Sequence, residues 1–268
     1  MGLGDDIMFL GEAEHIHKKT GKKIKPVYGS GNSIFFKNVE FLSNVNDINV
    51  VTVNARDTKA FSDYHVDYYV KKKLQTRYGE KLVFNQYTPK PFRLRFLKKE
   101  IKRSSEILKE YNVKDNFVII NPDYKTSFFN NNKNWGFKKY QKLVNLLNKD
   151  IQVVRVMPGG KYTEPALKNA INIPCEGLRI SAALYTNAKF GISYDGLLQH
   201  ILAGFDIPCV VIQGGLISRK NMNYKNHITI EYDHPETPCG STYDCSHCKE
   251  ANKNITVEMV YEQCKKLL

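Results

Sequence analysis

Four short apolar runs constrain this chain more than any other feature. NFVIINP (116–122), IQVVRVMPGG (151–160), KFGISY (189–194) and PCVVIQGG (208–215) are rich in Val, Ile and Phe and mostly end on Pro or Gly. Such runs read as strands buried on both faces, which occur in parallel sheets covered by helices. The stretches between them have helical spacing. GFKKYQKLVNLLNK carries apolar residues at Phe137, Tyr140, Leu143, Val144, Leu146 and Leu147, and EPALKNAI, RISAALYTNA and GLLQHILAGF read as further helices. INIPCEG (171–177) is a short edge strand, and ITVEMVYEQCKKLL closes the chain as an amphipathic helix. Strand–helix alternation over ~100 residues implies a doubly wound α/β sheet. Ligands bind such sheets at the carboxyl ends of the strands, so Pro122, Pro158-Gly159-Gly160, Asp195 and Gly214-Gly215 should share one rim.

The first half is less regular. A helix is predicted from Ile7 to Thr20, stopping at Gly21, with GLGDD as a loop before it. Strand-like runs follow at Ile24–Tyr28, in NVVTVNA (49–55) and in EKLVFNQY (80–87). A proline-bearing stretch then leads into a basic helix from about Leu94 to Tyr111, where a domain boundary is expected.

Net charge is +13, unevenly spread: residues 1–110 hold 21 Lys and Arg against 13 Asp and Glu, and the remainder 19 against 14. That excess points to anionic partners, either nucleotide and headgroup phosphates or nucleic acid. No run approaches the ~18 apolar residues of a membrane span, and no signal peptide is evident, so a cytoplasmic protein is expected. Six cysteines in 268 residues do not form a disulfide framework and read as reduced.

The segment 175–215 carries the chemistry. A strand ends at Tyr194, Asp195-Gly196 make the turn, and the next helix holds His200 in its first turn. Free N–H groups there suit a diphosphate, Gly196 allows close backbone approach, and Asp195 accepts from hydroxyls. As residues alone, Asp195 reads equally as a helix cap and His200 as a packed core histidine.

YDGLLQHILAG resembles the Asp-Ser/Thr-Gly-Leu-x-His-Leu-Ala stretch of glycosyltransferase family 9, the family of the lipopolysaccharide heptosyltransferases. Gly196 stands at the family's Ser/Thr position and Leu197 at its glycine. VVRVMPGG looks like the family's Gly-Gly strand end, with Gly159 on it, and Lys133-Asn134-Trp135 resembles its Lys-x-Trp segment. Leu3-Gly4-Asp5 matches its Leu-Gly-Asp loop, although the family's leading strand is missing. Without that match, Asp5 or Asp6 reads as a helix cap.

The resemblance implies a GT-B-like α/β fold of two Rossmann-like domains facing a cleft, the first reduced. The divisions expected are an acceptor domain at 1–110, a nucleotide-sugar domain at 111–254 and a final helix, 255–268, that can cross back to the first. It implies inverting transfer of a sugar from a nucleotide diphosphate sugar, with no cofactor or catalytic metal. Asp5 would be the base, and Lys133, Asp195, Gly196, Leu197, His200 and Gly159 would hold the donor. Acceptor contacts are expected from Asp6, Lys71, Lys72, Lys73, Arg93 and Arg95. The acceptor is an anionic bacterial glycan such as a phosphorylated lipopolysaccharide core, with peripheral membrane contact, or alternatively a hydroxymethylated base in DNA. A non-catalytic nucleotide-sugar or nucleic-acid binding protein is the remaining alternative. Cys239, Cys245, His247 and Cys248 supply donors for tetrahedral zinc, but C-x5-C-x-H-C is not a standard finger and adjacent His247 and Cys248 strain toward one ion. Reduced thiols and no metal are the expectation.

Overall fold

A computed structural model describes residues 2–27, 33–54, 88–124, 132–159, 164–217, 219, 222–239 and 244–268. Lys71, Lys72, Lys73 and the strand expected at 80–87 lie outside the described residues.

The four apolar runs are strands β3 (Phe117–Asn121), β4 (Gln152–Met157), β6 (Phe190–Tyr194) and β7 (Cys209–Gln213). With β5 (Ile171–Pro174) and β8 (Ile228–Glu231) they form one parallel sheet in the order β5-β4-β3-β6-β7-β8. Val118 pairs with Val153, Ile120 with Ile192, and Ile192 with Val210. Period-two alternation splits each strand between two cores. Val118, Ile120, Ile192, Val210 and Ile212 meet α3 (Phe137–Leu147) and α7 (Val257–Lys265) through Leu143, Val144, Leu147 and Val260. Phe117, Ile119, Val154 and Val211 face the opposite way, onto α2 (Lys98–Glu110), α4 (Leu178–Tyr185) and α5 (Leu197–Ala203) through Ile107, Leu184, Leu198 and Leu202. The last helix, α7, packs on α3, β7 and β8 of the large-sheet part. In the same way α2, expected in the first domain, lies against α4.

The N-terminal part consists of α1 (Leu3–Thr20), the parallel pair β1 (Lys23–Val27) and β2 (Val50–Asn54), and a 3-10 turn at Ile34–Phe36. Ile7 and Leu10 of α1 share one apolar cluster with Phe35, Phe92, Leu94, Ala182 of α4 and Ile201 of α5. Phe92 and Leu94 enter it from extended chain, which is why α2 starts at Lys98 rather than Leu94. Arg179 of α4 completes the junction. Its guanidinium donates to both Glu100 carboxylate oxygens (2.8 and 3.0 Å) and to the carbonyls of Ile34 and Arg95. Burial pushes the Glu100 carboxyl up, but hydrogen bonds from Arg179 and the Leu97 N–H outweigh it and hold the group below its ordinary value.

Two local expectations are corrected, and two elements are added. GLGDD is not a loop: α1 begins at Leu3, with Gly2 as its N-cap and Asp5 in its first turn. Residues 164–170 are not a helix, because Arg155 donates to the Glu164 and Pro165 carbonyls while the Asn172 side chain takes the Leu167 N–H. Two elements that the sequence did not signal, β8 and α6 (Ser246–Asn254), lie between β7 and the last helix.

Candidate active site at the carboxyl rim

Strands β3, β4 and β5 run to one side of the sheet and β6, β7 and β8 to the other. The order therefore reverses between β3 and β6, where open α/β sheets hold ligands beyond the strand ends. Three groups predicted from the sequence meet there. Lys133 arrives on the short segment before α3, anchored by Trp135, whose indole donates to the Ile255 carbonyl (2.7 Å) and packs edge-on to Tyr140. Its ammonium contacts Asp195 at 2.6 Å and the Asp195 carbonyl at 3.2 Å. Asp195, just past β6, is 4% exposed, and its second oxygen accepts from Gln199. Lys133 is thus tied to a buried carboxylate. Removing one partner of such a pair strands a charge at a cost of about 3–5 kcal/mol.

His200 projects from α5 into the same region. Its Nδ1 lies 2.8 Å from the Tyr224 hydroxyl, and both side chains are buried. Burial pushes the imidazole pKa down to about 4; the Asp195 and Asp5 carboxylates oppose that shift, and Lys133 and His227 reinforce it. The ring is therefore neutral at pH 7. Burial also raises the Tyr224 phenol, which keeps its proton. A neutral imidazole has one N–H and one acceptor nitrogen, so Nδ1 and the phenol share a hydrogen bond whose direction follows the tautomer.

The first turn of α1 covers the other side of this ring. A Cβ at Gly4 would stand 2.7 Å from His200 Cδ2 and 3.1 Å from Nε2, so only glycine lets the helix approach so closely. The next residue, half-buried Asp5, accepts from the Gly2 N–H at 2.6 Å, and its charge reaches the His200 ring. Asp6 is buried one residue on.

The remaining predicted residues fall elsewhere or bring no polar side chain to the rim. Gly196 caps α5 in extended conformation, and the Leu197 side chain turns into the apolar cluster beneath α1. Gly159 lies on the same rim beyond β4, with open space where a Cβ would be. Arg93 stacks on Phe205, past the far end of α5, and Arg95 pairs with Glu40 on the surface, so neither joins Asp5.

Sequence reasoning missed Tyr224, His227, Gln199 and Asp123. His227 Nε2 meets the Gln199 carbonyl at 2.9 Å, linking the segment before β8 to α5. Asp123, just past β3, holds the fully buried Arg155 in a two-point pair. The only sequence signal for Asp123 was its place two residues beyond a buried strand.

A search of solved structures gives full-length agreement with the crystal structure of the glycosyl transferase family 9 from Veillonella parvula. It covers 100% of this chain and 94% of that one at 12% identity, with a TM-score of 0.66. Local matches include E. coli heptosyltransferase WaaC, solved with ADP-2-deoxy-2-fluoro heptose (17% identity, 62% of this chain, TM-score 0.44). E. coli ADP-heptose lps heptosyltransferase II also matches (17%, 65%, 0.48). The alignments span 48% and 53% of those two chains. No protein-family profile matches the sequence, and no curated protein sequence does. The fold is the GT-B-like α/β arrangement of the Veillonella protein, with two strands described in the N-terminal sheet.

Proposed function

We propose that this chain is an inverting glycosyltransferase that moves a sugar from a nucleotide diphosphate sugar to a hydroxyl of an anionic glycan. One observation carries the reading: the first turn of α1, bearing Asp5, lies against His200 on the rim that holds Lys133 and Asp195. Asp5 takes the proton of the acceptor hydroxyl as its oxygen attacks the anomeric carbon, and the bond from that carbon to the diphosphate oxygen breaks. Lys133 supplies positive charge to the departing diphosphate, exchanging part of its bond to Asp195 for the phosphate oxygens. His200, kept neutral, spaces the two carboxylates and presents an N–H rather than a second positive charge. The basic surface suits an acceptor carrying phosphate, such as a lipopolysaccharide core. Contact with a lipid-borne acceptor is proposed as peripheral; no described helix is long and apolar enough to cross a membrane.

The test is transfer from a panel of nucleotide sugars to phosphorylated glycolipid, read by mass spectrometry, for the natural chain and Asp5→Asn. The expected result is turnover in the natural chain and a loss of roughly 10²–10⁴-fold in the variant, the usual weight of general-base catalysis. Equal turnover removes Asp5 as the base. Donor binding without turnover by the natural chain overturns transfer in favour of a binding protein.

A further inference from the structure

We infer that Cys239, Cys245, His247 and Cys248 form a structural zinc site. One ligand atom from each lies within 4.8 Å of all the others. The Cys239 sulfur is 3.0 Å from that of Cys248 and 3.9 Å from that of Cys245. A tetrahedral Zn²⁺ with Zn–S near ~2.3 Å requires sulfur–sulfur edges of about 3.8 Å, so an ion at the centre needs shifts under about 1 Å.

The imidazole supplies a second, independent indication. His247 is 5% exposed, its Nε2 faces the Thr237 hydroxyl at 3.1 Å, and its Nδ1 is buried without a hydrogen-bond partner among the described residues. A buried ring nitrogen with no partner is costly, and a ligating histidine whose other nitrogen is fixed by a neighbour is the usual arrangement at a metal. The ligand atoms of adjacent His247 and Cys248 lie within 4.8 Å of each other, so their adjacency does not keep them from one ion. Cys245 is the N-cap of α6 and Cys248 follows three residues later, so both sit at one helix end. Cys239 arrives from the opposite side, its N–H donating to the Gly215 carbonyl at 2.9 Å.

The site is closed. Met8, Leu216, Ile217 and Met222 pack around the sulfurs, and the four protein donors fill the four positions of tetrahedral zinc. Its role is structural: it pins α6 and the turn after β7 beside Met8, on the helix that carries Asp5. Loading would release the three thiol protons to solvent. The inference does not depend on the proposed activity.

The full chain, purified without chelator, should contain about one zinc per molecule by mass-spectrometric metal analysis, the stoichiometry of a closed four-ligand site. Mercurial modification of the thiols should release it, and Co²⁺ exchange should give thiolate-to-cobalt charge-transfer bands with tetrahedral d–d bands. Cys248→Ser and His247→Ala should lose the metal, while Cys175→Ser, on the thiol at the end of β5, should keep it. Metal-free natural protein with six reactive thiols, a Cys239–Cys248 disulfide, or iron in place of zinc would each overturn the assignment. Because these readings come from the natural chain, a variant that fails to fold does not protect the inference.

Discussion

The neutral, buried His200 makes a quantitative demand on stability. An unfolded histidine titrates near ~6.5, whereas this one is held down to about 4. The folded state therefore binds its proton later than the unfolded state as pH falls. The contribution is fully present above pH ~6.5, drains away between ~6.5 and ~4, and is absent below. A gap of about 2.5 pH units at 1.36 kcal/mol each amounts to about 3 kcal/mol, of which about 2 kcal/mol is lost by pH 5. His200→Gln keeps a polar partner for Tyr224 but cannot titrate. Urea unfolding of both proteins at pH 7 and pH 5 isolates the term, because Glu100 and the other carboxylates cancel in the difference. The natural chain should lose about 2 kcal/mol more than the variant. Equal losses, or the His200 imidazole resonance itself titrating near ~6.5 by NMR, would refute the burial argument.

Other expected outcomes follow from the same geometry. Lys133→Met should destabilise by about 3–5 kcal/mol by stranding Asp195, and Lys133→Met with Asp195→Leu should recover much of that loss in denaturant titrations. Gly4→Ala forces a methyl against His200 and should cost about 1–3 kcal/mol in stability; a neutral result would mean that α1 stands off the ring. Arg179→Met should cost about 3–5 kcal/mol at pH 7, leaving Glu100 unpaired. That loss should shrink on acidification through the Glu100 pKa, since a depressed carboxyl stabilises above its unfolded pKa and ceases to do so as it protonates. Leu143→Ala, in the core under α3, should cost about 2–5 kcal/mol.

The large sheet was legible because burial on both faces leaves a continuous apolar signature, and β3, β4, β6 and β7 carry it. β8 did not, since ITIE is short and half-exposed at an edge. Residues 164–170 carry helix-like residues, yet side chains of Arg155 and Asn172 take their backbone groups, and no local pattern encodes those distant partners. At the start of the chain, glycine suggested a loop, whereas packing on His200 demands glycine within a helix. The grouping of Lys133, Asp195 and His200 was foreseeable from strand ends and the family resemblance. Tyr224, Gln199 and His227 were not, because the stretch between β7 and β8 has no periodicity to place them. The cysteines were read by spacing alone, and spacing cannot show that Cys245 and Cys248 share a helix end.

The cluster that joins α1 to α4 and α5 also bears on how the chain melts. Ile7, Leu10, Phe92 and Leu94 bury their surface against Ala182 and Ile201, not only against one another. Neither part keeps that surface covered once the other opens. Heat should therefore take the described body apart in a single calorimetric transition, and cutting the chain at residue 97 should yield two insoluble pieces. The junction is a shared interior, and any motion of α1 against α4 and α5 must occur around it.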